Sequence, residues 1–394
     1  MDVDLTARDH RPVVAFVTHS AELSGAELFI LRIAGATRRV RPLVVLGEHG
    51  PIEAALRAAG VEHVVIPLTE TVASHTEQTG GGVRDALGKV SGAAATAVRL
   101  AGLLRRHEVA LVTTHSAKAH VYGALAGRLA RVPVVAHAHS VVGKEDDTSW
   151  NARLLRVVFA VLPHGRVANS RATAASLLPP RRRTTRTSDA AVVRCPVSLP
   201  DRVADAPART LFVLAGRVSE TKGQDVALRA FALARAAGID PDARLRIVGE
   251  ALFDRDRAFA AALPALAVEL GIADAVDFIG HVDGVAQEFA AASVALHASP
   301  VAEGFGQVVI EAMASGRPVI ASAAGAPGEM IVDGVDGFLV APGDAAAMAD
   351  AMLRLASDPE LRARVGAAAR VSAERYRLDR VVEDWEQAVT PHLR

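Results

Sequence analysis

Two short stretches of this 394-residue sequence carry side chains whose types and spacing could do chemistry. The first is Gly216, Arg217, Val218, Ser219, Glu220, Thr221, Lys222, Gly223, set between an apolar run, Leu211 to Ala215, and a segment of helical period from about Asp225. Glycine lets a ligand approach the backbone, two cations flank the turn, and the helix N-terminus behind them carries about half a positive charge. This suits a diphosphate; the other account makes Arg217 and Lys222 solvated loop charges. Neither a Walker loop nor a GxGxxG fingerprint is spelled here, so P-loop and dinucleotide readings lose ground. The second stretch is Ser299, Pro300, Val301, Ala302, Glu303, Gly304, Phe305, Gly306, followed by a helix from about Gln307 that carries Glu311. Carboxylates accept hydrogen bonds from sugar hydroxyls and repel phosphate, so Glu303 and Glu311 suit a hexose and a ribose on either side of a diphosphate. The backbone N–H groups of Gly304, Phe305 and Gly306 can face the phosphate itself. A helix-capping role is the competing account for either glutamate.

The elements that must position these residues alternate as βαβ units do. Expected strands in the first half are Val13 to Thr18, Leu43 to Leu46, His63 to Ile66, Ala110 to Thr114, Val134 to His137 and Val167 to Asn169. Helical segments such as Ala26 to Ala36, Ile52 to Ala59, Ala93 to Arg106 and Ala119 to Leu129 lie between them. The stretch Pro179 to Pro207, with its Arg181 to Arg183 run and one expected strand at Ala191 to Arg194, ends as a linker. Alternation resumes with Leu211 to Ala215, Arg244 to Val248, Val276 to Ile279, Val294 to His297, Pro318 to Ala321 and Phe338 to Val340. The expected fold class is therefore α/β, with two doubly wound Rossmann-like domains facing across a cleft. The domains are placed at 1–200 and 201–370, and a helix over 371–394, anchored by Tyr376 and Trp385, crosses back to the first. In doubly wound sheets ligands sit beyond the carboxyl ends of the strands, where both stretches lie.

Composition narrows the partners. Lys plus Arg and Asp plus Glu are equal at 44 each, so no net field draws the chain to nucleic acid. Cys195 is the sole cysteine, and the start Met1, Asp2, Val3, Asp4 lacks the basic-then-apolar order of a secretory signal. Apolar runs such as Leu154 to Leu162 fall short of the roughly 18 residues that a spanning helix needs. A cytoplasmic protein with at most peripheral membrane contact is expected. Asp254-Arg255-Asp256 spells DxD but lies in a charged helical stretch, and His115, His120, His164 and His281 lack zinc spacing, so no metal and no cofactor are assigned. The Arg181 to Arg186 cluster reads as a solvated linker, with an acidic acceptor or lipid headgroup as the other reading.

The Gly216-Arg217 to Lys222-Gly223 and Glu303-Gly304-Phe305-Gly306 to Glu311 elements, with Gly316-Arg317-Pro318-Val319, Gly325 and Glu329 to Asp333-Gly334, resemble the family 4 retaining glycosyltransferases of the GT-B fold. The resemblance covers nearly all of the second domain and the first more loosely. It implies that Arg217 and Lys222 hold the donor diphosphate, Glu311 the nucleotide ribose and Glu303 the donor sugar, while Val276 to Val282 resembles the family's base-binding strand end. It also implies transfer with retention from a nucleotide diphosphate sugar, UDP-linked first and GDP-linked second, to an unidentified acceptor hydroxyl. Ser24-Gly25-Ala26-Glu27 resembles the family's Gly-Gly-x-Glu turn, with Ser24 in place of the first glycine. Gly25 could admit donor phosphate or acceptor, and a plain helix start capped by Ser24 is the other account. His139 matches the family's histidine at the sugar end of the cleft; His137, two residues earlier, shares its face by strand period. The catalytic set implied is His139, Arg217, Lys222 and Glu303. Two other classes share the architecture: a nucleotide-sugar 2-epimerase, and a non-catalytic sugar-nucleotide-binding protein.

Overall fold

The computed structural model describes residues 10–68, 83–143, 150–177, 190–204, 207 and 209–393. The chain divides into two compact units, Met1–Pro196 with Leu378–Arg394, and Val197–Arg377. The Arg181 to Arg186 cluster lies outside the described residues.

In the first unit the elements run β1 Val13–Thr18, α1 Gly25–Ala36, β2 Arg41–Leu46, α2 Ile52–Ala58, β3 Glu62–Val65, α3 Val83–Arg106, β4 Val109–Thr114, α4 Ala117–Ala130, β5 Val134–Ala138, α5 Trp150–Val161, β6 Gly165–Ala168, α6 Arg171–Ser176 and β7 Ala191–Val192. The strands pair in parallel in the order β3-β2-β1-β4-β5-β6-β7. β1 is buried along its whole length, because a strand apolar on both faces is stable only at the centre of a sheet covered by helices on either side. Helix α3 begins ten residues before the expected Ala93. Ser91 and Gly92 read as a break, but each costs a helix interior only about 1 kcal/mol or less, which continuous hydrogen bonding overrides.

The second unit runs β8 Leu211–Ala215, α7 Gln224–Ala236, β9 Arg244–Val248, α8 Asp254–Glu269, β10 Val276–Gly280, α9 Ala286–Ala291, β11 Val294–His297, α10 Gln307–Ala314, β12 Val319–Ser322, α11 Pro327–Met330, β13 Phe338–Val340, α12 Ala345–Ser357 and α13 Pro359–Ala373. Its sheet is again parallel, in the order β10-β9-β8-β11-β12-β13. Phe212, Leu214, Leu228, Phe231, Leu245, Ile247 and Leu296 form the centre of its core. Helix ends are fixed by local chemistry: Asp344 caps α12 through Ala347 N, and Asp358 caps α13 through Leu361 N with Pro359 at the first turn.

Helix α14, Leu378–Val389, belongs with the first unit. Trp385 is fully buried and stacks on Phe16 at 5.0 Å between ring centroids. Buried Glu386 accepts from Thr37 Oγ1 at 2.7 Å and from the backbone N–H groups of Arg38 and Arg39 at 3.2 Å. Burying one such tryptophan is worth roughly 4–6 kcal/mol at 25 cal/mol per Å². A polar helix therefore stays docked through one face. The residues from 371 do not form a single helix: α13 runs to Ala373, a 3₁₀ turn covers Glu374–Tyr376, and α14 follows.

The six strands of the second sheet follow the order of the first six of the first sheet, which adds β7 at its edge, and the winding direction reverses between β1 and β4 and between β8 and β11. At such a reversal the flanking helices lie on opposite faces, which leaves a crevice beyond the carboxyl ends of the strands.

Candidate active site

In the second unit, the turn after β8 is shaped by a close backbone approach. Gly223 has φ 70°, and a Cβ there would lie 2.1 Å from the carbonyl oxygen of Ala298, so only glycine fits. A 3₁₀ turn at Glu220–Lys222 precedes it and α7 starts directly after it. Buried Gln224 ties the turn together: its Nε2 donates to the carbonyl of Arg217 at 3.0 Å and its Oε1 accepts from Ser219 N at 3.4 Å. The first-turn N–H groups of α7, which starts directly after this turn, have no carbonyl within the helix to pair with.

Lys222 and Glu303 meet directly, Lys222 Nζ donating to Glu303 Oε1. Ser299 Oγ lies 3.3 Å from the same oxygen and donates to the carbonyl of Thr221, which joins the two turns. His297, the buried last residue of β11, places Nε2 at 3.7 Å from Glu303 Oε1. Burial pushes the Glu303 carboxyl up, but His297 and the Lys222 ammonium outweigh it and hold the group at about 2. The backbone of Glu303 is pinned as well, its N–H donating to Ala324 O at 3.2 Å and its carbonyl accepting from Ala326 N at 3.0 Å. Glu303 is thus a fixed anion beside a cation, and the capping account does not hold for it: its carboxylate faces Lys222 and Ser299, and α10 starts at Gln307 behind the N-cap Gly306. Glu311 lies one turn into α10 and accepts from Gln307 Nε2 at 3.2 Å.

Arg217 does not behave as a solvated loop charge. Its guanidinium lies 3.3 Å from Asp256 Oδ2 and 5.0 Å from the ring centroid of Phe253. Asp256, the second aspartate of the DxD spelling, is buried at the start of α8, whereas Asp254 is exposed and pairs with Arg257 at 3.0 Å. The two aspartates therefore do different things. Phe305 turns its ring inward, edge-on to Tyr376 at 6.0 Å, and leaves only backbone at Gly304, Phe305 and Gly306 to address a ligand. Val282 is half-buried in the loop beyond edge strand β10, two strands from β8, or roughly 10 Å at the usual strand spacing.

In the first unit, Gly25 opens α1 with nothing within 4 Å of a would-be Cβ. Ser24 makes no side-chain cap; its hydroxyl donates to Glu27, a buried carboxylate that also accepts from Thr18 Oγ1 at 2.7 Å. The plain-cap account of this turn is thereby corrected. His139 leaves β5 with its ring against His115, Nε2 to Nδ1 at 2.9 Å. Asn169 Nδ2 donates to the His139 carbonyl at 2.7 Å. His137 stacks on His139 at 4.3 Å and meets Phe29 edge-on at 4.6 Å, with neither of its nitrogens in hydrogen-bond geometry. Burial drives His139 down to about 3, and burial together with the neighbouring imidazoles drives His115 and His137 well below the ordinary histidine value, so all three are neutral.

Sequence spacing separates His115 from His137 and His139, and the fold unites them: each offers one nitrogen within 4.8 Å of the others. His115 Nδ1 lies 2.9 Å from His139 Nε2 and its Nε2 3.1 Å from Thr113 Oγ1, while the rings of His137 and His139 stack at 24°. Missed in the sequence were His297, Ser299 as the link between turns, Asp256 as the partner of Arg217, and His115. The signal for His297 and His115 was their place at the ends of β11 and β4, beside the reversal in strand order.

Two doubly wound units whose first six strands follow the same order define the GT-B class of fold. Over 97% of this chain and 100% of the other, the structure is similar to that of Anabaena HepE, solved in complex with UDP and glucose, at TM-score 0.81 and 24% identity. Residues 202–372 match the family described as Glycosyl transferases group 1, and residues 52–197 match that described as Glycosyltransferase Family 4. Together the two matches span 317 of the 394 residues, 171 in the second half and 146 in the first. Among its relatives, the D-inositol 3-phosphate glycosyltransferase of Streptomyces griseus is 41% identical over 173 residues, 42% of this chain and 36% of that protein. The phosphatidyl-myo-inositol mannosyltransferase of Mycobacterium leprae is 36% identical over 126 residues, 32% of each. The chain is thus matched to about a third of the length of these relatives. Among the described residues no helix is long and apolar enough to cross a membrane.

Proposed function

We propose that this chain is a retaining glycosyltransferase that moves a sugar from a nucleotide diphosphate sugar, UDP-linked first and GDP-linked second, to an acceptor hydroxyl. The observation that carries the reading is the Lys222–Glu303 pair, set with His297 and Ser299 where the second sheet reverses its strand order. Diphosphate departure develops negative charge on the leaving oxygen. Fixed cations stabilise such charge without reorganising during the reaction, which is the role we assign to Arg217, Lys222 and the N-terminus of α7. Glu303 accepts a hydrogen bond from a hydroxyl of the transferred sugar and Glu311 from the ribose, while Gly216, Gly304, Phe305 and Gly306 offer backbone to the phosphates. Val282 lines the base end, Gly25 opens a backbone approach in the first unit, and His139 takes a sugar or acceptor hydroxyl. In the step proposed, the bond from the sugar C1 to the phosphate oxygen breaks, the acceptor oxygen bonds to C1 on the same face, and a leaving phosphate oxygen takes the acceptor proton. The reading requires a compartment that supplies nucleotide sugars, which the cytoplasm does.

Product analysis by mass spectrometry across UDP- and GDP-sugars tests this. Inositol phosphates join the acceptor panel because the names of two relatives state inositol-based substrates. A glycosylated acceptor whose anomeric configuration matches the donor supports the reading; conversion of donor alone into a new sugar nucleotide would instead mark an epimerase. Activity is expected to survive EDTA, because Asp256 is committed to Arg217 and the cations already meet the leaving charge. Loss with chelator and recovery with Mg²⁺ or Mn²⁺ would contradict that assignment.

A further inference from the structure

The imidazoles beside His139 form a chain whose proton positions can be deduced. Thr113 Oγ1 lies 3.3 Å from the carbonyl oxygen of Ala15 and 3.1 Å from His115 Nε2. A carbonyl can only accept, so the assignment that satisfies both contacts points the Thr113 proton at Ala15 and lets its lone pair receive Nε2–H of His115; the reverse assignment, Thr113 donating to Nε2, leaves the Ala15 contact unmade. A neutral imidazole carries one N–H, and burial keeps His115 neutral. Its Nδ1 is therefore bare, and the 2.9 Å contact with His139 Nε2 requires that nitrogen to be the donor. His139 then keeps a bare Nδ1, a buried acceptor with no hydrogen-bond partner. A lone pair left unpaired inside a protein costs free energy unless something completes it.

We propose that Thr113 and His115 are positioning residues that hold His139 in the Nε2–H tautomer, so that its Nδ1 accepts a hydrogen bond from a hydroxyl of the sugar or the acceptor. The inference rests on the assignment of His139 to a ligand hydroxyl made under Proposed function. Thr113 is itself held in register by β4, beside Phe16 of β1, and is buried, so the chain begins on a rigid support. With its basicity reduced to about 3, His139 orients a hydroxyl without removing its proton, which agrees with a leaving phosphate as the proton's destination.

The test is nitrogen-15 NMR of the histidine rings in the full chain, read beside steady-state kinetics. Wild-type His139 is expected to show a protonated Nε2 and an unprotonated Nδ1. Thr113→Val keeps the shape of a buried β-branched residue but removes the acceptor for His115 Nε2–H, so both rings should exchange tautomers and Nδ1 of His139 should become protonated. Turnover should then fall about threefold to tenfold, the worth of one ordinary hydrogen bond, with nucleotide affinity unchanged. Thr113→Ser, which restores the hydroxyl, should restore both readouts. A protonated Nδ1 in the wild type, or an unchanged tautomer in Thr113→Val, would overturn the proposal. Because the NMR readout needs no substrate, it decides the hydrogen-bond chain separately from the glycosyltransferase reading. Should the tautomers behave as stated while His139→Ala turns over at the wild-type rate, the assignment of His139 falls and the purpose proposed for the chain falls with it.

Discussion

Replacing Lys222 with alanine is expected to lower turnover by about two to three orders of magnitude, since one preorganised donor to a developing oxyanion is typically worth about 3–4 kcal/mol. The loss should fall on kcat and kcat/KM together, because the leaving charge grows only as the bond breaks. The same change leaves the Glu303 carboxylate without its cation. Such a pair sits between the surface case, worth up to about 1 kcal/mol, and the buried case of roughly 3–5 kcal/mol. Melting must therefore be measured beside turnover. A variant that melts a few degrees lower and retains about a hundredth or less of the wild-type rate fits the account; one that turns over normally would remove Lys222 from the diphosphate.

The first unit is expected to lose stability in mild acid. Three buried imidazoles, His115, His120 and His137, and the half-buried His139 are held neutral in the fold, His120 and His139 down to about 3 and the other two well below the ordinary value. For each, the folded pKa lies below the unfolded value of about 6.5, so below that pH the unfolded chain binds protons that the fold refuses, and stability falls as pH falls. By pH 5.5 His120 and His139, held at about 3 in the fold, each cost about 1.4 kcal/mol, and His115 and His137 act in the same direction, against an ordinary domain's stability of about 5–15 kcal/mol. Thermal melts followed by circular dichroism at pH 7.5, 6.5 and 5.5 should show a steep fall over the last unit. A midpoint at pH 5.5 equal to that at pH 7.5 would show that these rings accept protons within the fold.

Much of this fold is legible in the sequence because apolar β-branched runs are their own signal. β1, β8, β9, β11 and β13 begin and end where that pattern does. Long-range partnership is not legible. Arg217 and Asp256 lie 39 positions apart, Lys222 and Glu303 81 apart, and His115 and His139 24 apart. Nothing local at any of these positions encodes its partner. Asp254-Arg255-Asp256 illustrates the point, since two aspartates in one short spelling end with opposite surroundings, one exposed and one buried against an arginine. The starts of α12 and α13 rest on Asp344 and on Asp358 with Pro359, local signals that went unread. At Ser24 composition misleads, because the serine hydroxyl turns to the Glu27 carboxylate rather than to the helix backbone.

The central claim, that the second unit holds a nucleoside diphosphate between a cation turn and a carboxylate helix, is tested most directly by calorimetric titration with UDP, and with GDP in parallel. Wild type is compared with Glu311→Gln and Glu303→Gln, each first shown to melt like it. The account predicts that wild type binds and that Glu311→Gln binds about tenfold or more weaker, as expected for a charged hydrogen bond worth roughly 1.5–3 kcal/mol. Glu303→Gln, which addresses the sugar, should bind the diphosphate as wild type does. No heat of binding in the wild type, or equal affinity in wild type and Glu311→Gln, would contradict it.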